Sequence, residues 1–166
     1  MRVLFFVLGL MCCSAQAQEL WRSAVYGMTP AQIQSAFPEA ALASKPAPLR
    51  DGANNLLSLR NVQIVGRLFE ADFYFLEDRL VQVKLVAEIS GVVNDSLLVF
   101  EDIARALRDK YGPELNKEMK RDGLGATASA DWITKEITIS TYASVFSSSG
   151  KIYITYKSRK ASSGNL

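Results

Sequence analysis

Ser148-Ser149-Gly150-Lys151 sets a serine three residues before a lysine, the Ser-x-x-Lys spacing that penicillin-binding enzymes use to activate a nucleophile. That chemistry needs the pair on the first turn of a buried helix, whereas here it occupies a Ser/Gly turn entering a strand. The same Gly150-Lys151 has Val145 where a phosphate-binding loop requires its first glycine. Asp72 and Glu136 are carboxylates that strand alternation puts on a solvated face, and two carboxylates can in principle hydrolyse a glycoside. Exposed carboxylates lack the raised pKa of a general acid, so that chemistry is not expected. The chain has no histidine, which removes Ser-His-Asp and Cys-His mechanisms. Its two cysteines, Cys12 and Cys13, fall in a segment expected to be cleaved. Only carboxylates then remain as metal ligands, with no calcium-loop spacing. No catalytic residue, metal or cofactor is expected, and the chain reads as a non-enzyme.

Residues 1–17 read as a signal peptide. Arg2 gives a positive start, Val3 to Leu10 an apolar run, and Ala15-Gln16-Ala17 the small residues that signal peptidase needs, so cleavage is expected before Gln18. Met11 before Cys12, and Cys12 before Cys13, stand where a lipid-attachment site wants a small residue. Charged residues interrupt every later apolar run, so no transmembrane segment is expected and the mature chain should be periplasmic or secreted. Nineteen Lys and Arg face seventeen Asp and Glu, a balance unlike the basic face of a nucleic-acid binder. Without cysteine the mature chain must be held by its hydrophobic core.

Thr29-Pro30-Ala31-Gln32 carries a cap, a first-turn proline and a capping-box glutamine, which together predict a short helix ended by Pro38. Residues 39–55 read as a loop. From Ser58 to Glu88 the apolar period becomes two: Val62 and Ile64, Phe73 and Phe75, then Val81, Val83 and Leu85. This predicts three antiparallel strands with a turn at Glu77-Asp78-Arg79. Phe100, Ile103, Leu107 and Tyr111 recur at helical spacing between a cap at Asn94 to Ser96 and a stop at Gly112-Pro113. After a polar loop over 114–125, alternation returns in Ala126 to Trp132, Ile137 to Ile139 and Ile152 to Tyr156, with Ser147 to Gly150 separating the last two strands.

This order predicts an α+β fold of two helix-plus-antiparallel-three-strand-meander units, residues 18–90 and 91–157, with the helices packed on one sheet face. Residues 158–166 would form a flexible tail. Tyr26-Gly-Met-Thr-Pro-Ala-Gln-Ile-Gln-Ser-Ala-Phe-Pro38, followed by a strand meander, resembles the Gly-Met-Thr/Ser start of exported SmpA/OmlA-type modules. The tandem order is similar to the β-lactamase-inhibitor-protein fold. The resemblance implies a protein-binding module that presents an antiparallel sheet to a partner. The lipid-attachment cysteine of the SmpA/OmlA kind is missing.

Tyr74, Tyr142 and Tyr153 alternate out of phase with the core positions, and Tyr offers large contact area at little entropy cost. With Lys84 they form the expected partner-binding set on the wet sheet face. The function expected is an exported, non-catalytic protein-binding module of inhibitor, immunity or envelope-assembly type, its partner another envelope or secreted protein. The alternative is a periplasmic carrier of a small hydrophobic ligand held between helices and sheet.

Overall fold

The computed structural model describes residues 18–44, 46–90, 93–123 and 125–160. The signal-peptide segment 1–17 lies outside the described residues. Strands β1 (Glu19–Trp21) and β2 (Ala24–Val25) pair as a small hairpin. Helix α1 (Pro30–Ala36) follows, then β3 (Ala41–Leu42), β4 (Asn54–Ile64), β5 (Arg67–Leu76) and β6 (Arg79–Ser90). Helix α2 (Val93–Tyr111) leads to β7 (Asn116–Asp122), β8 (Gly125–Ile133), β9 (Ile137–Phe146) and β10 (Ser149–Ser158).

The expected pair of helix-plus-three-strand units is overturned. The protein is mostly β, and β3 to β10 form one eight-stranded sheet in the order β3-β4-β5-β6-β10-β9-β8-β7. Every neighbouring pair in it is antiparallel. Two meanders are joined where β6 pairs with β10, from Gln82↔Lys157 to Ser90↔Ser149. Alternation tells which residues share a face but not which strand lies beside which, so this junction was out of reach of a local pattern.

The extra strand β7 replaces part of the expected 114–125 loop. Its sequence Asn-Lys-Glu-Met-Lys-Arg-Asp is polar on both faces because it lies at the sheet edge, and charged residues there discourage pairing with another chain. Strand β4 likewise begins at Asn54, inside the other expected loop. The α2 start also differs: Val93 opens the helix, so Asn94 to Ser96 fall in its first turn instead of capping it.

One face of the sheet carries both helices. Thr29 caps α1, its hydroxyl accepting from the Gln32 amide at 3.3 Å while the Gln32 side chain accepts from the Thr29 amide at 2.8 Å. That reciprocal pair holds Ile33 and Phe37 against the sheet. Phe37 stacks on Trp21 at 5.8 Å and meets Phe73 at 5.3 Å. Helix α2 packs Phe100, Ile103, Ala104 and Leu107 into the same core. Beneath it β8 and β9 supply Ala126, Ala128, Ala130 and Ala143, all buried, and these short side chains let the helix approach the sheet backbone closely. Gly112, at φ +86°, turns the chain out of α2 and its amide donates to the Arg108 carbonyl at 2.9 Å. The Trp132 indole donates to the Gly112 carbonyl at 2.9 Å, tying the helix end to β8.

Strand β10 runs to Ser158, which is buried and donates to the Gln18 side chain at 3.3 Å. Gln18 in turn donates to the Glu136 carbonyl, and Arg159 reaches the Thr134 carbonyl at 3.0 Å. The segment expected to be a tail over 158–166 thus starts with residues tied to the body. Residues 161–166 lie outside the described residues.

Candidate functional site

The face opposite the helices is crossed by straight rows of side chains, because antiparallel register aligns directly opposed residues. One row runs Glu70, Val86, Tyr153, Tyr142, Ser129 across five strands. Beside it runs Ser58, Asp72, Lys84, Thr155, Ser140, Asp131, and on its other side Glu88, Lys151, Ser144, Thr127. A fourth row, Asn55, Tyr74, Gln82, Lys157, Thr138, flanks these.

Tyr142 and Tyr153 are cross-strand partners whose rings stack at 6.4 Å with 23° between planes. The Lys84 ammonium lies 4.5 Å from the Tyr153 ring centre. Three of the four expected site residues are therefore one contiguous group. Tyr142 is exposed, Tyr153 and Lys84 half-buried. Around them stand hydroxyl side chains, Thr127, Ser129, Ser140, Ser144 and Thr155, none of them a large charged group. Among the described residues no helix covers this part of the face.

Tyr74 does not belong to the group, and its expected exposure is corrected. It points away from the main core as alternation requires, yet it is only 5 % exposed. The 46–53 segment folds over it. Leu49 and Ala53 close a small second cluster with Tyr74 and Val81, and the turn is held by the Leu49 amide on the Ala53 carbonyl at 2.8 Å. Asp51 anchors the far side through an ion pair to Lys157 at 2.9 Å. The hydrogen bond from Lys157 holds the Asp51 carboxyl below its usual pKa. Burial, with Asp72 adding to it, raises the Tyr74 phenol above its ordinary value. Asp-Gly at 51–52 signals a turn, but nothing local says that the turn roofs a tyrosine.

Next to the tyrosines the face sinks into a depression of about 360 Å³ whose walls include Asn55, Ser58, Glu70, Asp72, Glu88 and Lys151. Neither Asn55 nor Ser58 was singled out by sequence; each is an ordinary polar position on a wet strand face. Asp72 sits here, while its expected carboxylate companion Glu136 lies in the β8–β9 connection, so the two do not form an acid–base pair on a common strand face. Ser148 occupies the turn before β10 with no helix near it in sequence. Among the described residues no three His, Cys, Asp or Glu gather as a metal site.

On the helix side, an apolar groove of about 230 Å³ opens between α2 and the sheet, lined by Trp21, Ile64, Ile103, Leu107, Ile154 and Tyr156. Burial first, and Tyr111 after it, raise the Tyr156 phenol well above its ordinary pKa. Arg22 and Lys110 stand at the rim, 4.6 Å from the Trp21 ring and 5.2 Å from the Tyr111 ring.

Fold and site together define an open antiparallel sheet with helices on one face and a tyrosine-centred polar surface on the other. Comparison with protein-family models, curated proteins and solved structures finds no match for this chain. Among the described residues no helix is long and apolar enough to cross a membrane.

Proposed function

We propose that this chain is an exported, non-catalytic protein-binding module whose partner, another envelope or secreted protein, docks on the sheet face at Tyr142, Tyr153 and Lys84. The stacked tyrosine pair carries the reading. Its rings are already ordered by each other and by Lys84, so docking costs little side-chain entropy. Tyrosines set among serine and threonine hydroxyls make the composition that antibody paratopes use, rigid aromatic anchors among adaptable hydrogen-bonding groups. The helices fill the opposite face, leaving this one to a partner.

The test starts with capture from host envelope extract by residues 18–166, followed by purification of the captured protein and titration against wild type and the Tyr142→Ala/Tyr153→Ala variant. Loss of anchor tyrosines should weaken binding at least ~30-fold, the equivalent of a hot spot of about 2 kcal/mol, with an unchanged melting temperature. Equal affinities would remove the face from consideration.

A second reading, the carrier of a small hydrophobic ligand, is supported by the groove beside α2. At about 230 Å³ it falls below the ~300–1,000 Å³ of ordinary ligand pockets, so a small ring or a chain end suits it better than a whole lipid. Native mass spectrometry of protein from its own host separates the readings, because a copurified small molecule lost on Leu107→Trp favours the carrier.

A further inference from the structure

The groove between α2 and the sheet is apolar in its walls and cationic at its rim. Ile103 and Leu107 of α2, Ile154 and Tyr156 of β10, and Trp21 of β1 supply the walls. The charged side chains that line it are Arg22 and Lys110, with no carboxylate beside them. Both are exposed, and neither has an ion pair among the described residues. Each lies over an aromatic ring instead, Arg22 over Trp21 and Lys110 over Tyr111. A cation held over a ring keeps its N–H donors available to an anion.

A second observation comes from the groove wall. Tyr156 is only 6 % exposed, and its hydroxyl has no hydrogen-bond partner among the described residues. It is still reachable from the groove it lines, because Asn55 Oδ1 is the one unpartnered side-chain atom of the described residues that is sealed from solvent. A buried O–H of this kind calls for an acceptor. Burial and Tyr111 keep the phenol protonated, hence a donor, while Arg22 acts on it in the opposite sense and so stands within electrostatic reach of the same group. A donor in the wall and two unpaired cations at the rim all ask for one thing, an acceptor that carries negative charge.

We propose that the groove binds a medium-chain fatty carboxylate, its alkyl chain along Ile103, Leu107 and Ile154 and its head between Arg22, Lys110 and the Tyr156 hydroxyl. Guanidinium matches a carboxylate with parallel N–H donors, and the ammonium adds a point charge. The inference rests on the carrier reading for the groove itself and adds the class of ligand. The tyrosine surface lies on the other face of the sheet, so docking there is independent of it.

The probe is octanoate, titrated below its micelle concentration into isotopically labelled residues 18–166 and followed by amide chemical shifts. Octan-1-ol and n-octylammonium chloride at matched ionic strength are the controls. Saturable shifts confined to residues 21–22, 103–111 and 152–156 are expected, with the alcohol at least about tenfold weaker than the acid and hexanoate about fourfold weaker for each methylene lost. Arg22→Gln/Lys110→Gln should bring the acid down to the affinity of the alcohol and leave the alcohol unchanged. Should that variant not fold, Lys110→Gln alone replaces it and should weaken the acid by a few fold. Tyr156→Phe keeps the ring and removes the donor, and should weaken the acid about fivefold. Equal binding of acid and alcohol, tighter binding of the ammonium, or an unchanged acid affinity in the folded cation variant overturns the anionic head and leaves the carrier reading standing. No saturable shifts at the groove with acid or alcohol overturn both.

Discussion

Val65 is a β-branched residue in the left-handed region, at φ +42°, followed by Gly66 at +74°. The pair forms the two-residue turn between β4 and β5, where the twist of the strands favours positive φ at both positions. Glycine takes that conformation freely, but for valine the Cβ crowds the neighbouring carbonyl at a cost of about 1–2 kcal/mol. Val65 is exposed and in neither core cluster, so its side chain contributes little in return. Val65→Asn should therefore raise stability by about 1 kcal/mol, read as a higher urea midpoint at constant slope; a lower midpoint would mean that the valine packs usefully. Residue-scale features of this kind were only partly legible in the sequence. The out-of-phase positions of Tyr142 and Tyr153 followed from alternation alone. What the sequence could not show was the polar depression beside the tyrosines. Asn55, Ser58 and Asp72 are brought together by β4–β5 register, and of the three only Asp72 drew notice in the sequence, as a carboxylate on a solvated face.

Among the elements, the 46–53 segment decides how much of the sheet face is open. It has little core of its own, and its outer hold is the Asp51–Lys157 pair, whose side chains keep 28 % and 29 % of their surface exposed. Lys157→Met should loosen the flap: Tyr74, protected in wild type, becomes reactive to tetranitromethane, with peptide mapping to separate it from the exposed Tyr142. Unchanged protection would show that Leu49 and Ala53 suffice. The pH dependence has a definite sign. The Asp51 carboxyl sits below its unfolded value of about 3.9, so its contribution is complete above that value and fades as pH falls through the lower folded one. Hydrogen exchange at the Leu49 and Ala53 amides, corrected for intrinsic rates, should accelerate below about pH 4 in wild type but not in Lys157→Met. This flap explains why the wet-face reading succeeded at Tyr142 and Tyr153 and failed at Tyr74. Alternation correctly separates the two sides of a strand. Whether a side is then covered depends on a distant segment, and 39–55 has no periodicity that would announce where it lands. The same limit hid β7, because an edge strand defended by charge reads as a loop. Both helices, by contrast, were legible because stops and helical spacing are local, as is the α1 capping box, while the α2 start lies ahead of its expected cap.

At the level of the whole molecule, the two meanders are halves of one sheet, and neither has a complete boundary without the other. Strand β6 presents a full set of backbone donors and acceptors to β10 over Gln82 to Ser90, and a separated first half would leave that row as an open edge, ready to pair with other chains. Core packing crosses the same line, since Val83 and Leu85 of β6 share a cluster with Ile152 and Ile154 of β10. The first described residue, Gln18, is bonded to Glu136 and Ser158, and the flap over Tyr74 is pinned by Lys157. Each of these links joins positions more than a hundred residues or a whole meander apart, so unfolding should be a single cooperative event, with equal midpoints by far-ultraviolet circular dichroism and tryptophan fluorescence. Trp21 and Trp132 report on opposite halves, which makes the comparison sensitive. Residues 18–90 and 91–166 expressed separately should each give poorly dispersed amide spectra and aggregate, and mixing them should restore dispersion through the β6–β10 pairing. A native-like spectrum from either fragment alone would overturn this account, and would mean that the tyrosine row, whose Val86 and Tyr153 come from different halves, is assembled by docking two finished domains instead of by folding one sheet.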